Sequence, residues 1–517
     1  MLSIRHLARS LSGLIVLGSV AALSFGETPT APVVITAPLD GAVYPRDFAA
    51  PTFRWRGSST DASWEVRIDT AERSFSARVV GKPEWKPGDS EWESVKQASL
   101  GKSARFSARL LASTLEPGRN DPATVTFSTS PDPVDASVFY REVPLPVSFA
   151  MDHKASIRWR VGRVSVKEPP RTVLSGMRTC ANCHSFSADG KTIAMDLDFG
   201  SDKGAYAVAT VSRTTRIGPD QMITWNDFRR QDGEGTFGLL STISPDGRFV
   251  VSTVKETIFL SFLTDMDCSQ LFFPTRGILA VWNRDTRKFH LLEGAADPAY
   301  VQTNPVFAPD GRTLVFARVS VPKIPRRGAV VDAAVVAALT PDFVEGRRNL
   351  RFDLWQVPFN DGRGGESTRI AGAGENGQSN FFPRFSPDGK WLVFCQASSM
   401  MLNRPDSTLS IMPAGGGTPR RMRCNALGRM NSWHSFSPNG HWLVFASKAA
   451  GPLTQLWLTH IDENGEDTVP VMLEGFVADG MAGNIPEFVN WQTDELQQIN
   501  VAEEITGPSG TLPRRPN

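Results

Sequence analysis

Five segments of the chain superpose without a gap: HSFSADGKTIAMDL, STISPDGRFVVSTV, PVFAPDGRTLVFAR, PRFSPDGKWLVFCQ and HSFSPNGHWLVFAS. A sixth, PEFVNWQTDE, keeps the aromatic and loses the turn. The anchor positions are Phe186, Ile243, Phe307, Phe385, Phe436 and Phe488, set roughly 50 to 80 residues apart. Each unit has one physical logic. A short strand carries the anchor, a Pro-Asp-Gly turn reverses the chain because proline fixes φ and glycine accepts a positive one, and a strand rich in β-formers follows. Stretches such as ILAVWNRDTRKFHLL, FDLWQVPFNDG and LSIMPAGGGTPRRM add further strands and turns to most units. A chain built this way stacks repeats around a shared core instead of forming a few unrelated domains.

The pattern resembles the TolB-type β-propeller repeat, an aromatic followed by Ser-Pro-Asp-Gly and a strand ending near Phe, over about residues 175 to 495. The resemblance implies an all-β fold with a six-bladed β-propeller over 135–500, and a face that docks a protein partner. The sixth copy lacks its Asp-Gly turn, so its sheet is expected to be completed by N-terminal strands from SVFYREVPLPVSF or ASIRWRVGRV. DAAVVAALTPDFVEGRR, in the longest interval, reads as a helical insertion between strands. Ahead of the propeller, residues 31–130 alternate about seven short strands with Gly, Pro and Asp, which predicts an immunoglobulin- or fibronectin-like β-sandwich without the antibody-type disulfide. Residues 501–517 are expected to be disordered.

Residues 1–26 place Arg5, His6 and Arg9 before an apolar run from Leu11 to Phe25 that ends in small residues. This is the layout of a secretory signal peptide, and it predicts a periplasmic or otherwise extracytoplasmic protein with no later membrane span. The 55 Lys plus Arg residues nearly balance 54 Asp plus Glu, without a long basic run, which argues against nucleic acid as a partner.

Of five cysteines, Cys180 and Cys183 form one tight pair in Cys180-Ala181-Asn182-Cys183-His184; Cys268, Cys395 and Cys424 are scattered. An odd remainder argues against a disulfide framework, and Cys395 in WLVFCQA reads as a small buried hydrophobe. The pentapeptide matches the c-type haem attachment sequence, in which two thiols form thioethers to the vinyl groups and the histidine ligates iron. One covalent haem c is therefore the expected cofactor, held by Cys180, Cys183 and His184. Two rivals share the residues: a zinc site, which needs a fourth ligand, and a thioredoxin-type dithiol, which needs a helix N-terminus.

Two residues before the anchor, the copies read His184, Ser241, Pro305, Pro383, His434 and Pro486. His184 and His434 share His-Ser-Phe-Ser, which nominates His434 as a distal iron ligand; Met177 and Met430 are competing sulfur donors, and a plain strand histidine is the bland alternative. His441 follows a turn and is expected at the surface, while His153, His290 and His460 lie in strand-like stretches. Asp196, Asp198 and Asp202 fall short of a calcium loop and read as a turn between strands. The chain has neither a Gly-x-Ser-x-Gly elbow nor His-Glu-x-x-His, and LGKS from Leu100 lacks the earlier glycine of a phosphate loop. The function these residues predict is electron transfer or redox sensing with a protein partner. A non-redox interaction scaffold is the alternative, and a haem enzyme acting on a small molecule in the funnel is a third.

Overall fold

In the computed structural model, described residues are 33–57, 63–111, 121–199, 202–325, 330–425, 428–491 and 495–506. The predicted signal peptide and most of the predicted tail lie outside them. Among the described residues no helix is long and apolar enough to cross a membrane.

The first unit is a β-sandwich. Val34–Ala37, Phe53–Arg56 and Glu84–Trp85 form a three-stranded sheet. Opposite it, Ala42–Pro45, Ala123–Ser130, Ser103–Leu110, Ser63–Asp69 and Ser74–Val80 form a five-stranded one. Period-2 alternation sends Phe53, Trp55, Trp64, Phe106 and Phe127 between the sheets, all buried. A helix that no pattern in the sequence predicts, Asp89–Ala98, inserts Trp92 into this core; Asp89 and Glu91 in its first turn suit the N-terminal dipole.

Six four-stranded blades follow, numbered by their anchors, with blades 2 and 3 joined into one eight-stranded sheet by a single parallel pair between Gly277 and Val301. Blade 1 comprises Ala181–Phe186, Thr192–Leu197, Ala205–Thr210 and Met222–Thr224. Blade 2 comprises Leu239–Ile243, the long hairpin Phe249–Phe262 and Gln270–Asn283, and Lys288–Leu291. Blade 3 comprises Tyr300–Phe307, Thr313–Ser320, Asp353–Pro358 and Thr368–Arg369, with helix Ala333–Val344 inserted as expected. Blade 4 comprises Ser379–Phe385, Trp391–Ala397, Thr408–Pro413 and Arg420–Arg421. Blade 5 comprises Asn431–Phe436, Trp442–Ser447, Gln455–His460 and Val471–Met472. In blade 6 the innermost strand, Met481–Val489, pairs with Ser137–Pro144, which carries Arg158–Arg163 and then Arg171–Leu174. Both nominated N-terminal segments thus complete the ring.

The repeated turn is built by its serine. Ser386 Oγ donates to Asp388 at 2.6 Å and accepts the backbone N–H of Trp391 at 2.9 Å. Ser187, Ser244 and Ser437 make the same pair of bonds in their blades. The turn glycines Gly190, Gly247, Gly311, Gly389 and Gly440 have φ between 69° and 79°, the left-handed region where a Cβ would be strained. Further serines rivet neighbouring blades: Ser185 Oγ accepts the N–H of Ile243 at 3.1 Å, and Ser435 Oγ that of Phe488 at 3.0 Å.

Each innermost strand also slips register at one place, by the residue three before the anchor. In five blades that residue is left-handed: Leu240 (φ 56°), Asn304 (55°), Phe382 (50°), Trp433 (36°) and Ile485 (53°). Such a bulge re-aims a side chain out of the ladder. In blade 1 the same column holds Cys183, which does not share the positive φ.

The sandwich packs against blade 5, where Trp442, Val444, Leu456 and Leu458 join Trp55, Trp64 and Phe106 in one apolar cluster. At the far end of the chain, Gln498–Val501 pairs in parallel with Thr214–Ile217 beside blade 1. Glu503–Thr506, inside the segment expected to be disordered, forms one helical turn that buries Ile505. Burial of that one side chain against the blade 1 cluster is what orders it.

Candidate functional site

The loops entering the innermost strands meet at one mouth of the central channel, and a cavity of about 280 Å³ opens there. Its walls are mainly apolar. Val143, Leu145, Ala150 and Met151 come from blade 6 and the short helix Val147–Asp152, while Leu240, Leu260, Phe262 and Phe272 come from blade 2 and its overhanging hairpin. Four of the bulge-column residues, Cys183, Leu240, Trp433 and Ile485, face it together. A more polar groove between 171–177 and 497–501 lies at the outer edge of blades 6 and 1 and holds no cysteine or histidine.

Cys180 and Cys183 both line the mouth cavity as free thiols. Cys183 sits there by the bulge column, and Cys180 is held where its carbonyl accepts the N–H of Asp198 at 2.9 Å. Burial pushes both thiols above their ordinary range, helped by Asp196 beside Cys183 and Asp198 beside Cys180. A disulfide-exchange pair needs the opposite shift and a helix N-terminus, so a strand-borne, protonated pair does not suit thioredoxin-type chemistry. The sulfur of Met151 lies 3.9 Å from Cys180 Sγ.

The acidic residues after the motif belong to the same wall. Asp196 lies inside a strand, not in a turn, and accepts the Cys183 N–H at 3.2 Å; burial raises its carboxyl to about 8. Asp198 pairs with Lys203. Arg141 lies near both thiols and Asp196, and burial lowers its pKa. Lys448 completes the polar lining, donating to the carbonyl of Asp267 at 2.9 Å.

His184 does not face this cavity. Its ring is buried between blades 1 and 6, edge-on to Phe139 at 4.7 Å. Neither nitrogen makes a hydrogen bond of good geometry, the nearest backbone partner being Ile485, and burial followed by the charges of Arg384 and Arg141 depresses the imidazole to about 3. His434 is also kept from the cavity and from His184. Its Nε2 lies 3.1 Å from the Val393 carbonyl in blade 4, its Nδ1 has no partner, and burial holds it at about 3. The reason is rotational. Residues in one column of a propeller are related by rotation about the channel, so both rings point at the preceding blade, His184 at blade 6 and His434 at blade 4. The column match that nominated His434 as a distal ligand therefore places the two rings in equivalent seats instead of opposite one another. Met177 and Met430 are buried and do not line the cavity either.

Met151 and Arg141 carry no motif that marks them in the sequence, and they reach the cavity only because the N-terminal strand closes the ring. Cys395 is buried as expected, 3.7 Å from the hydroxyl of Ser432.

No family model matches the chain, and no curated protein does. Solved structures with a similar course of chain include TolB from Acinetobacter baumannii, at 14% identity and TM-score 0.42, over 75% of this chain and 79% of that one. Hydrazine synthase from Kuenenia stuttgartiensis superposes at 13% identity and TM-score 0.30, covering 60% of this chain and 72% of that one. Oligogalacturonate lyase from Vibrio parahaemolyticus does so at 10% identity and TM-score 0.33, over 61% and 86%. With TM-scores below 0.5, these likenesses carry no conclusion about chemistry.

Proposed function

We propose that the protein is an exported haem-c propeller that serves electron transfer or redox sensing with a protein partner docked at the channel mouth. The observation that carries this reading is that both thiols of Cys180-Ala181-Asn182-Cys183-His184 open on one mainly apolar cavity at that mouth. Covalent attachment of a flat, largely apolar macrocycle needs that combination. Cys180 and Cys183 would hold it by thioethers, and Arg141, Lys203 and Lys448 on the same wall offer cations for its carboxylates. When bound, the haem supplies a one-electron carrier.

Both thiols face the space the group would occupy; His184 does not. Axial ligation requires its ring to leave the seat against Phe139, and two buried nitrogens without good partners favour leaving, since such groups cost about 1–3 kcal/mol each. Met151 already stands on the wall as a sulfur donor. Leu260 and Phe262, which line the cavity, and Phe149 on the short helix nearby are 36–45% exposed, a patch of the kind that covers or docks a partner.

A second reading, a non-redox scaffold whose apolar mouth binds a protein segment, is favoured by the seating of His184 behind Phe139. Expression in the periplasm of a cytochrome c-maturing host separates the two. A mass gain of one haem with a c-type pyridine haemochrome supports the first, and its loss in Cys180→Ala and Cys183→Ala ties it to the motif. Colourless protein of unmodified mass from that host refutes it and leaves the scaffold.

A further inference from the structure

The linker that leaves the sandwich at Ser130 crosses the outer end of blade 5 before entering blade 6. There it brings Asp132 against two histidines that lie more than 300 residues later in the chain. Asp132 Oδ2 is 2.8 Å from His460 Nε2 and 3.9 Å from His441 Nδ1, and one ligand atom from each residue lies within 4.8 Å of the others. Two ligands each about 2.1 Å from a tetrahedral ion stand about 3.4 Å apart. The two contacts to Asp132 bracket that spacing. The imidazoles are parallel, 6.0 Å between centroids and 6° between planes, so each presents a nitrogen to the same carboxylate.

Ser130 Oγ donates to the Asp132 carboxylate at 3.2 Å, and the backbone that carries it is held from several sides. The Asp132 carbonyl accepts Trp442 Nε1–H at 3.2 Å, Pro133 O accepts from Asn439 at 2.7 Å, and the Asp132 N–H donates to Ser130 Oγ at 3.1 Å. Anchors of this kind orient metal ligands. His441, whose side chain is 42% exposed, leaves the remaining coordination positions open to solvent. Among the described residues this is where metal-ligating side chains converge, and neither Cys180 nor Cys183 belongs to the group.

We propose that Asp132, His441 and His460 bind a divalent transition cation of the zinc class, and that the ion clasps the sandwich–propeller linker to blade 5. Two imidazoles and one carboxylate form a donor set suited to zinc, cobalt or nickel and poorly suited to calcium or magnesium. The site is independent of the cysteine cavity and of the haem reading.

The test uses the full-length chain stripped with a chelator, in a Cys180→Ser/Cys183→Ser background so that thiols cannot compete. Titration with zinc, and separately with cobalt read by its visible absorption, is expected to give one equivalent and a rise in melting temperature. His441→Ala should weaken zinc binding at least tenfold and abolish the metal-dependent rise. His460→Ala should do the same to binding. Absence of a one-equivalent transition in the parent chain, or zinc binding as strong as the parent's in either His441→Ala or His460→Ala, overturns the proposal.

Discussion

Replacing Phe139 by alanine tests how the ring is held shut. Phe139 is fully buried on the strand Ser137–Pro144, which the last blade strand needs as its partner. Its ring stands edge-on to His184 at 4.7 Å, Phe186 at 5.2 Å and Trp491 at 6.3 Å, so it joins blade 6 to blade 1 across the closure. Truncating a buried phenylalanine costs about 3–5 kcal/mol, the transfer of the ring plus the cavity it leaves. The upper half of that range is expected here, because three edge-to-face contacts vanish and two of the partners are themselves fixed in strands. Phe139→Leu, which keeps most of the volume, should cost less than about 1.5 kcal/mol. Urea unfolding of the haem-free chain, followed by tryptophan fluorescence, reads the difference as a shifted midpoint at unchanged slope. An alanine variant within about 1 kcal/mol of the parent, or a leucine variant as costly as alanine, would refute the claim that this ring locks the closure.

Glu142 is fully buried between Arg158 and Arg160 and also accepts the N–H of Ala478 at 2.9 Å, so Glu142→Gln should cost about 3–5 kcal/mol by leaving guanidinium charge uncompensated, measured by the same unfolding assay. Ser386→Ala removes the two turn bonds and strands the Trp391 N–H, for an expected loss of about 1–3 kcal/mol in the same assay. His434 is held neutral to about pH 3, so as pH falls below its unfolded value near 6.5 only the unfolded chain takes the proton and stability is lost. Between pH 7.5 and 5.0 the haem-free parent should therefore lose about 2 kcal/mol more than His434→Gln, a gap seen by comparing unfolding midpoints at the two pH values.

The blades were legible because their determinant is local. Serine, aspartate and glycine at fixed offsets build one turn, and the anchor aromatic recurs in register with it. Even the ring closure could be read, since a copy without its turn must borrow strands. What escaped the sequence is set by neighbours distant in the chain. Leu240, Trp433 and Ile485 adopt a left-handed φ that no propensity assigns to such side chains, and only the ring makes them converge on the mouth. The match between His184 and His434 was real, but a shared column fixes a shared direction around the ring, not a meeting point. Asp132, His441 and His460 looked ordinary one by one, because the linker that unites two of them with the third has no pattern of its own.

The pairing of Met481–Val489 with Ser137–Pro144 has a consequence for the order of assembly. More than 300 residues separate the two strands, so the first blade partner to emerge from synthesis must wait, with one edge open, for one of the last. Contacts this distant in sequence make folding slow, and an unpaired edge is a template for another chain. A nascent chain lacking residues beyond about 480 therefore resembles an unzipped belt, and its sticky edge would recruit copies of itself. Holding the chain unfolded until translation is complete, as export through a membrane channel does, removes that hazard.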